Sequence, residues 1–194
     1  MNFTLESVTV QYDAIPALDG VDCTIDSGAA MLLTGATGAG KTTFLKLLYA
    51  DVIPTDGTVS VDGNTTRTMK ARQLRTLRTK LGIMFQDARL MPTLSVYENV
   101  MYPLMIAGWA KMDANKRCLE VLADIGISYI RDKYPKQLSG GEKHLANLAR
   151  AVIHTPDCIL ADEPTGNVDA ATADTIARVL RQENTRGATL VIAT

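Results

Sequence analysis

The spacing of apolar residues changes along the chain and predicts two kinds of element. Apolar and polar residues alternate over residues 3–10 and 21–25, the pattern of strands that bury one face. Residues 29–34 form a short apolar run that leads into a glycine-rich stretch, so we expect a strand buried on both faces there. After Thr42 the apolar residues follow helical spacing instead, which predicts an amphipathic helix.

Strands and helices then alternate to the end of the sequence. Helix dominates residues 87–151, and a further helix is predicted over 170–184. Short apolar strands are predicted at 58–61, 82–85, 158–161 and 189–194. This alternation predicts a parallel α/β sheet with phosphate sites at the carboxyl ends of its strands. We expect residues 1–86 and 152–194 to form a core that carries a nucleotide site, and 87–151 to form an inserted helical subdomain.

Composition excludes several classes of function. The chain has 194 residues, 46% of them hydrophobic, and a net charge of −1, which suits one globular domain and argues against a nucleic-acid partner. Five Lys/Arg residues between Lys70 and Lys80 could form a local nucleic-acid patch, but a solvated helix face is the favoured interpretation. There is no apolar run of about 18 residues and no signal-peptide pattern, so we expect a cytoplasmic protein.

One glycine-rich segment fits the phosphate-loop pattern G-x-x-x-x-G-K-[ST] between a strand and a helix. Its residues are Gly35, Ala36, Thr37, Gly38, Ala39, Gly40, Lys41 and Thr42. Such a loop points backbone N–H groups at phosphate, and the helix that follows adds its positive end. We expect Lys41 to reach the β- and γ-phosphates of a nucleotide, and the Thr42 hydroxyl to ligate Mg²⁺. Thr43 completes the predicted nucleotide site, and the alternative is a glycine-rich turn without a ligand.

Two adjacent carboxylates follow the apolar strand at 158–161. Asp162 is the candidate that holds Mg²⁺, because this ion needs few protein carboxylates. Neighbouring strand residues face opposite ways, so Glu163 is free to act on a water molecule in line with the γ-phosphate. The alternative is a solvated acidic turn before Pro164.

A third motif, the sequence LSGGE at 138–142, is the discriminating one. Ser139 and Glu142 have the spacing of a capping box that opens a helix. A capping box does not account for Gly140 and Gly141, each of which costs a helix about 1 kcal/mol relative to alanine. Bare N–H groups at a helix start form a second phosphate site instead.

Together these motifs resemble the nucleotide-binding domain of ABC ATPases over essentially the whole chain. The resemblance rests on the order of five motifs: the phosphate loop, Gln86 after a strand, LSGGE, Asp162-Glu163, and residues 166–169. It implies a RecA-like mixed sheet core with an N-terminal antiparallel β subdomain and an inserted α-helical subdomain. It also implies ATP hydrolysis with ATP and Mg²⁺ as ligands.

The same resemblance implies roles for individual residues. The signature residues, Ser139 with the two glycines and Glu142, would act on the γ-phosphate bound by a second subunit, so that ATP binding forms a homodimer. Tyr12 would stack on adenine, although a half-buried strand tyrosine is equally compatible with its position. Gln86 would sense Mg²⁺ and the attacking water, the alternative being a surface amide. Asp169 would link the two ATP sites.

Residues 85–87, 96–100 and 102–108 further resemble the FtsE subfamily of cell-division ATPases. This implies an integral membrane partner of the FtsX type, and a location at the inner face of the plasma membrane. The segment Leu90–Trp109 would carry the surface that receives a partner helix, unless its apolar residues are core. Alternatives are an exporter ATPase of the lipoprotein-release or macrolide type, and a soluble ABC protein without a membrane partner.

Two features depart from the family pattern. Lys143, His144 and Leu145 follow LSGGE, where the family usually has Gln and, two residues on, Arg. The sequence ends at Thr194, on the strand after which the family places a switch histidine. From the resemblance we expect this stretch to bind ATP without full turnover.

Overall fold

A computed structural model describes residues 1–12 and 14–194 of the protein. Its strands are β1 Phe3–Gln11, β2 Pro16–Ile25, β3 Ala30–Leu33, β4 Asp56–Val61, β5 Asn64–Thr65, β6 Leu81–Met84, β7 Cys158–Asp162 and β8 Thr189–Ala193. Its helices are α1 Lys41–Leu48, α2 Ala71–Thr79, α3 Val96–Ile106, α4 Lys111–Ile125, α5 Gly140–Val152 and α6 Ala170–Thr185. Across these residues, no helix has both the length and the apolar character that a membrane-spanning segment requires.

The eight strands form two sheets. An antiparallel sheet has the order β2-β1-β4-β5, and Phe3 pairs with Ile25 on one side and Val61 on the other. The alternation in β1 places Phe3 and Leu5 in the core while their neighbours face outward. A parallel sheet has the order β3-β8-β7-β6. The mixed α/β fold predicted from the sequence is therefore confirmed.

Burial across the parallel sheet follows strand position. Every residue of β7 is buried, because β6 and β8 flank it and helices cover it. The prediction that the strand within 29–34 is buried on both faces is wrong, since Leu32 is 60% exposed. In the described part of the chain β3 pairs with β8 alone, so it lies at the edge of the sheet and is covered less completely.

Helices α3, α4 and α5 pack against one another and form a helical subdomain. Helix α5 also contacts β6 and α6, which joins this subdomain to the parallel sheet. Helix α1 contacts β2 and β4 on one side and β7 and β8 on the other, so it lies between the two sheets. The start of α1 and the start of α5 thus belong to different layers of the molecule.

Candidate functional site

The phosphate loop connects β3 to α1, and one of its glycines is required by the backbone. Gly40 caps α1 with φ 88°, in the left-handed region that favours glycine. A Cβ atom at this position would lie 2.3 Å from the carbonyl oxygen of Ala17 in β2. Gly40 therefore lets the loop turn into α1 while it presses against the antiparallel sheet.

Lys41 lies folded over the loop that precedes it. Its Nζ atom donates hydrogen bonds to the carbonyl oxygens of Gly35 (2.6 Å) and Ala36 (3.2 Å). The side chain is largely buried, which keeps the ammonium group at the centre of the loop. An ammonium has three N–H donors, so one remains for an anionic ligand.

Thr42 and Asp162 are brought together by the fold although they are 120 positions apart. The Thr42 hydroxyl donates to Asp162 Oδ2 at 2.8 Å, which joins the start of α1 to the end of β7. Asp162 is largely buried, and this bond accounts for one of its carboxylate lone pairs. The two oxygen ligands predicted for Mg²⁺ thus face each other.

A cavity of about 60 Å³ opens beside this pair, and Thr42, Asp162 and Gln86 all contribute to its wall. The volume holds a few water-sized groups, since one water needs roughly 10–15 Å³ by this measure. Within the described residues, no three His, Cys, Asp or Glu side chains are grouped as metal ligands. A hydroxyl, one carboxylate and space for water fit Mg²⁺, which keeps several waters when it binds.

Glu163 and Gln86 are in direct contact. Gln86 Nε2 donates to Glu163 Oε2 at 3.1 Å, so the amide predicted as either a sensor or a surface group touches the second carboxylate. Glu163 has φ 45°, and its N–H donates to the carbonyl oxygen of Ala193 in β8. A non-glycine residue in this region is strained, and such residues concentrate at functional sites.

The predicted capping box at the start of α5 is present. Ser139 Oγ accepts from the N–H of Glu142 (3.2 Å), and Glu142 Oε2 accepts from the N–H of Ser139 (2.7 Å). These bonds, and the ammonium of Lys133 at 3.5 Å, hold the pKa of Glu142 below its usual value. A Cβ atom at Gly140 would meet nothing within 4 Å, so the first turn of α5 is open to an approaching group.

Asp169 lies next to this helix start. Its carboxylate caps α6 by accepting from the N–H (2.9 Å) and the hydroxyl (2.8 Å) of Thr172, and these bonds lower the pKa of Asp169. Gly141 packs against Thr172 and Asp169. The structure therefore joins the signature residues to Asp169, while the phosphate loop belongs to another layer. Tyr12 directly follows β1 and is 57% exposed.

Sequence reasoning missed two residues beside Gln86. Asn147 in α5 is fully buried, and its Nδ2 donates to the carbonyl oxygen of Phe85 at 2.8 Å. The Arg150 guanidinium donates to Asn147 Oδ1 and to the carbonyl oxygens of Ala88 and Arg89. The only feature of the sequence that could have indicated them is a single asparagine within a run of alanines and leucines.

Helix α3 exposes an apolar stripe toward solvent. Tyr102, Met105 and Ile106 are between 43% and 61% exposed, and Trp109 just beyond the helix is 41% exposed. Their spacing of three or four residues places them on one face of the helix. Within Leu90–Trp109, the buried positions of α3 lie on the opposite face, so this segment divides between core and surface.

Tyr102 and Ile106 also line a groove of about 280 Å³ between α3 and α2. Arg75 and Arg78 of α2 contribute to its wall, and His154 lies beyond the end of α5. Of the described residues that line it, none carries a carboxylate. Burial holds the pKa of His154 below its ordinary value. The groove is thus apolar with basic groups along its wall.

The fold and the site together define a phosphate-loop ATPase that also presents the start of a second helix, α5, which Ser139 caps. The family model described as "ABC transporter" matches residues 18–166. The chain belongs to this family, which confirms the resemblance inferred from the motifs, and its activity is ATP hydrolysis.

Relatives of known name agree with this assignment. The cell division ATP-binding protein FtsE of Mycobacterium tuberculosis is 40% identical over 196 residues, covering 100% of this chain and 85% of that protein. The lipoprotein-releasing system ATP-binding protein LolD of Bacteroides thetaiotaomicron is 38% identical over 192 residues, covering 98% and 88%. Among solved structures, a dimeric post-hydrolysis state of the ATP-binding cassette MJ0796 bound to ADP and Pi has a TM-score of 0.93 and 33% identity, covering 99% and 87%.

Proposed function

We propose that this chain is the ATP-hydrolysing subunit of a membrane-associated ABC complex of the FtsE type. Two copies close on ATP, and the closure drives an FtsX-like integral membrane partner in cell division or cell-wall remodelling. The subunit is then peripheral to the inner face of the plasma membrane. Similarity to FtsE of M. tuberculosis over the whole chain supports this assignment.

ATP binds along the phosphate loop, with its γ-phosphate beside Lys41. The ammonium, held over the loop by the carbonyl oxygens of Gly35 and Ala36, turns its remaining N–H toward the phosphates. Tyr12 supplies an exposed ring for the adenine. Thr42, Asp162 and Gln86, which line the cavity beside the loop, would hold Mg²⁺. When bound, this ion neutralises phosphate charge and stabilises the transferring group.

Glu163 positions the attacking water and accepts its proton. The Gln86 amide holds this carboxylate at 3.1 Å, and the bond from the Glu163 N–H to Ala193 holds its backbone. Phosphoryl transfer needs little covalent chemistry from the protein, so positioning and electrostatics supply most of the catalysis.

The signature residues act on ATP bound by the other copy of the chain. Helix α5 and the phosphate loop lie in different layers of one subunit, so the open first turn of α5 is available to a second subunit. Ser139, Gly140 and Gly141 then donate to the γ-phosphate. Hydrolysis removes the charge that holds the copies together, and the population shifts toward the open state.

The membrane partner binds at the groove beside Leu90–Trp109. The observation that carries this proposal is the exposed apolar stripe of α3, which continues into a groove whose wall has arginines and no carboxylate. Charge complementarity favours an amphipathic helix whose apolar face carries acidic residues at its margin.

Co-purification from membranes of the native host tests the proposal. Ile106→Glu should lose the membrane partner, while Met112→Glu, at a still more exposed position on α4, should retain it. Recovery of a permease with a large external domain that binds cell-wall hydrolases supports the FtsE-type role. Retention of the partner by Ile106→Glu contradicts the docking site.

A second candidate is an exporter ATPase of the lipoprotein-release or macrolide type, favoured by the 38% identity to LolD. It shares the ATP site and differs in its membrane partner. Recovery of a lipoprotein-releasing or efflux permease in the same experiment would select this alternative.

A further inference from the structure

The loop that carries Gln86 is held in a strained conformation. Ala88 and Arg89 have φ values of 57° and 45°, and two consecutive non-glycine residues in the left-handed region are costly. Such a backbone persists only where its surroundings impose it. The contacts that impose this conformation therefore also determine where Gln86 lies.

Those contacts come from one face of α5. Asn147 Nδ2 donates to the carbonyl oxygen of Phe85, the residue before Gln86 (2.8 Å). Arg150 donates to the carbonyl oxygens of both strained residues and, through Nη2, to Asn147 Oδ1 (3.0 Å). The Asn147 amide thus donates to the loop through its nitrogen and accepts from Arg150 through its oxygen, so both atoms of the amide are hydrogen-bonded.

The guanidinium of Arg150 is committed to this loop. None of the hydrogen bonds or ion pairs of the described residues gives it a carboxylate partner, and its charge is matched by carbonyl and amide oxygens. Burial lowers the pKa of Arg150 to about 10. A buried arginine whose acceptors lie mostly in one loop favours the loop conformation that supplies them.

We propose that Asn147 and Arg150 are positioning residues for ATP hydrolysis, which hold Gln86 in contact with Glu163 by clamping residues 85–89 onto α5. The inference rests on the proposed roles of Gln86 and Glu163. It adds that α5, which Ser139 caps, is hydrogen-bonded directly to the loop that carries Gln86.

A double-mutant cycle in the purified full-length protein separates this role from general stability. Asn147→Leu replaces the amide with an apolar group of similar size. The Phe85 carbonyl then loses this donor, and the Arg150 guanidinium loses this acceptor. We expect kcat to fall about 10- to 100-fold, because losing a residue that orients a catalytic group, or misplacing that group by about 1 Å, has effects of this size. The KM for ATP should stay within roughly twofold, because Lys41 lies on another element.

The decisive comparison is in the Gln86→Ala background. If Asn147 acts through Gln86, adding Asn147→Leu there should lower kcat by less than roughly twofold. Asn184 offers a control on other loops, since its Nδ2 donates to the carbonyl oxygens of Gly28 and Ala188. The effects of Asn184→Leu and Gln86→Ala should multiply.

Multiplicative effects of Asn147→Leu and Gln86→Ala would overturn the positioning role while leaving the role of Gln86 intact. An unchanged kcat for Gln86→Ala alone would overturn both. Should Asn147→Leu fail to fold, Asn147→Asp provides the same cycle, because it keeps an acceptor for Arg150 and removes the donor to Phe85. Arg150→Lys, which cannot span the same acceptors, should show the same coupling.

Discussion

Alanine substitution at two glycines of the phosphate loop separates backbone strain from crowding. Gly40 and Gly38 have φ values of 88° and 85°, so Gly40→Ala and Gly38→Ala force alanine into the same unfavourable region. This costs about 1–2 kcal/mol at either position. Their surroundings differ, because a Cβ at Gly38 meets nothing within 4 Å, whereas one at Gly40 lies 2.3 Å from the Ala17 carbonyl oxygen and 2.9 Å from Leu18 Cδ2.

The crowding at Gly40 requires a backbone shift. Ordinary contact begins near 3.4 Å, so the loop and β2 must separate by about 1 Å. Overpacking of this kind costs about 1–3 kcal/mol, which with the strain makes about 2–5 kcal/mol for Gly40→Ala. For a protein of this size, 1 kcal/mol shifts the Tm by about 2–4 °C, so we expect losses of about 4–20 °C for Gly40→Ala and about 2–8 °C for Gly38→Ala.

Thermal unfolding of the nucleotide-free protein measures both variants under the same conditions. Gly40→Ala should also weaken ATP binding more than Gly38→Ala, because it moves the start of α1 away from β2. Equal losses of Tm for the two variants would refute the close approach of the loop to β2 as a determinant of the site.

Four further outcomes follow from the same geometry. Lys41→Ala should abolish ATP binding measured by calorimetry, and tight binding by this variant would refute the loop assignment. In the full-length protein, Glu163→Gln should accumulate an ATP-bound dimer on a sizing column; a monomer at saturating ATP would contradict the dimer mechanism. Ser139→Arg should bind ATP and lose turnover in a coupled phosphate assay, whereas lost binding would place Ser139 in its own subunit's site. Burial lowers the pKa of His154, so the unfolded chain binds more protons than the folded one. The free energy of unfolding should therefore decrease as the pH drops below about 6.5. In denaturant titrations across pH, His154→Leu should reduce that fall, and an unchanged pH profile would contradict it.

Local chemistry explains which parts of the site were predictable. The spacing of glycines and lysine in residues 35–42 describes a loop conformation directly, and Ser139 with Glu142 describes a capping box that the structure contains. The pairing of Thr42 with Asp162 was predictable as well, because strand ends of a parallel sheet meet at one edge.

Contacts between distant segments were not predictable in the same way. The bond from Asn147 to Phe85 joins residues 62 positions apart, and a single asparagine among apolar residues does not identify its partner. The burial of β3 was misjudged for a related reason, since apolar composition does not report whether a strand is central or at an edge. Tertiary placement decided both features.

The central claim is that each ATP lies between Lys41 of one copy and Ser139 of another. Mixing Lys41→Ala protein with Ser139→Arg protein tests it directly, because each variant alone lacks a complete site. In a head-to-tail dimer, the mixed pair has one site with both defects and one intact site. In an equimolar mixture, random pairing makes half of the dimers mixed, and each of these has one intact site out of two, so we predict recovery of about one quarter of wild-type ATPase activity. Activity no higher than that of either variant alone would contradict the account.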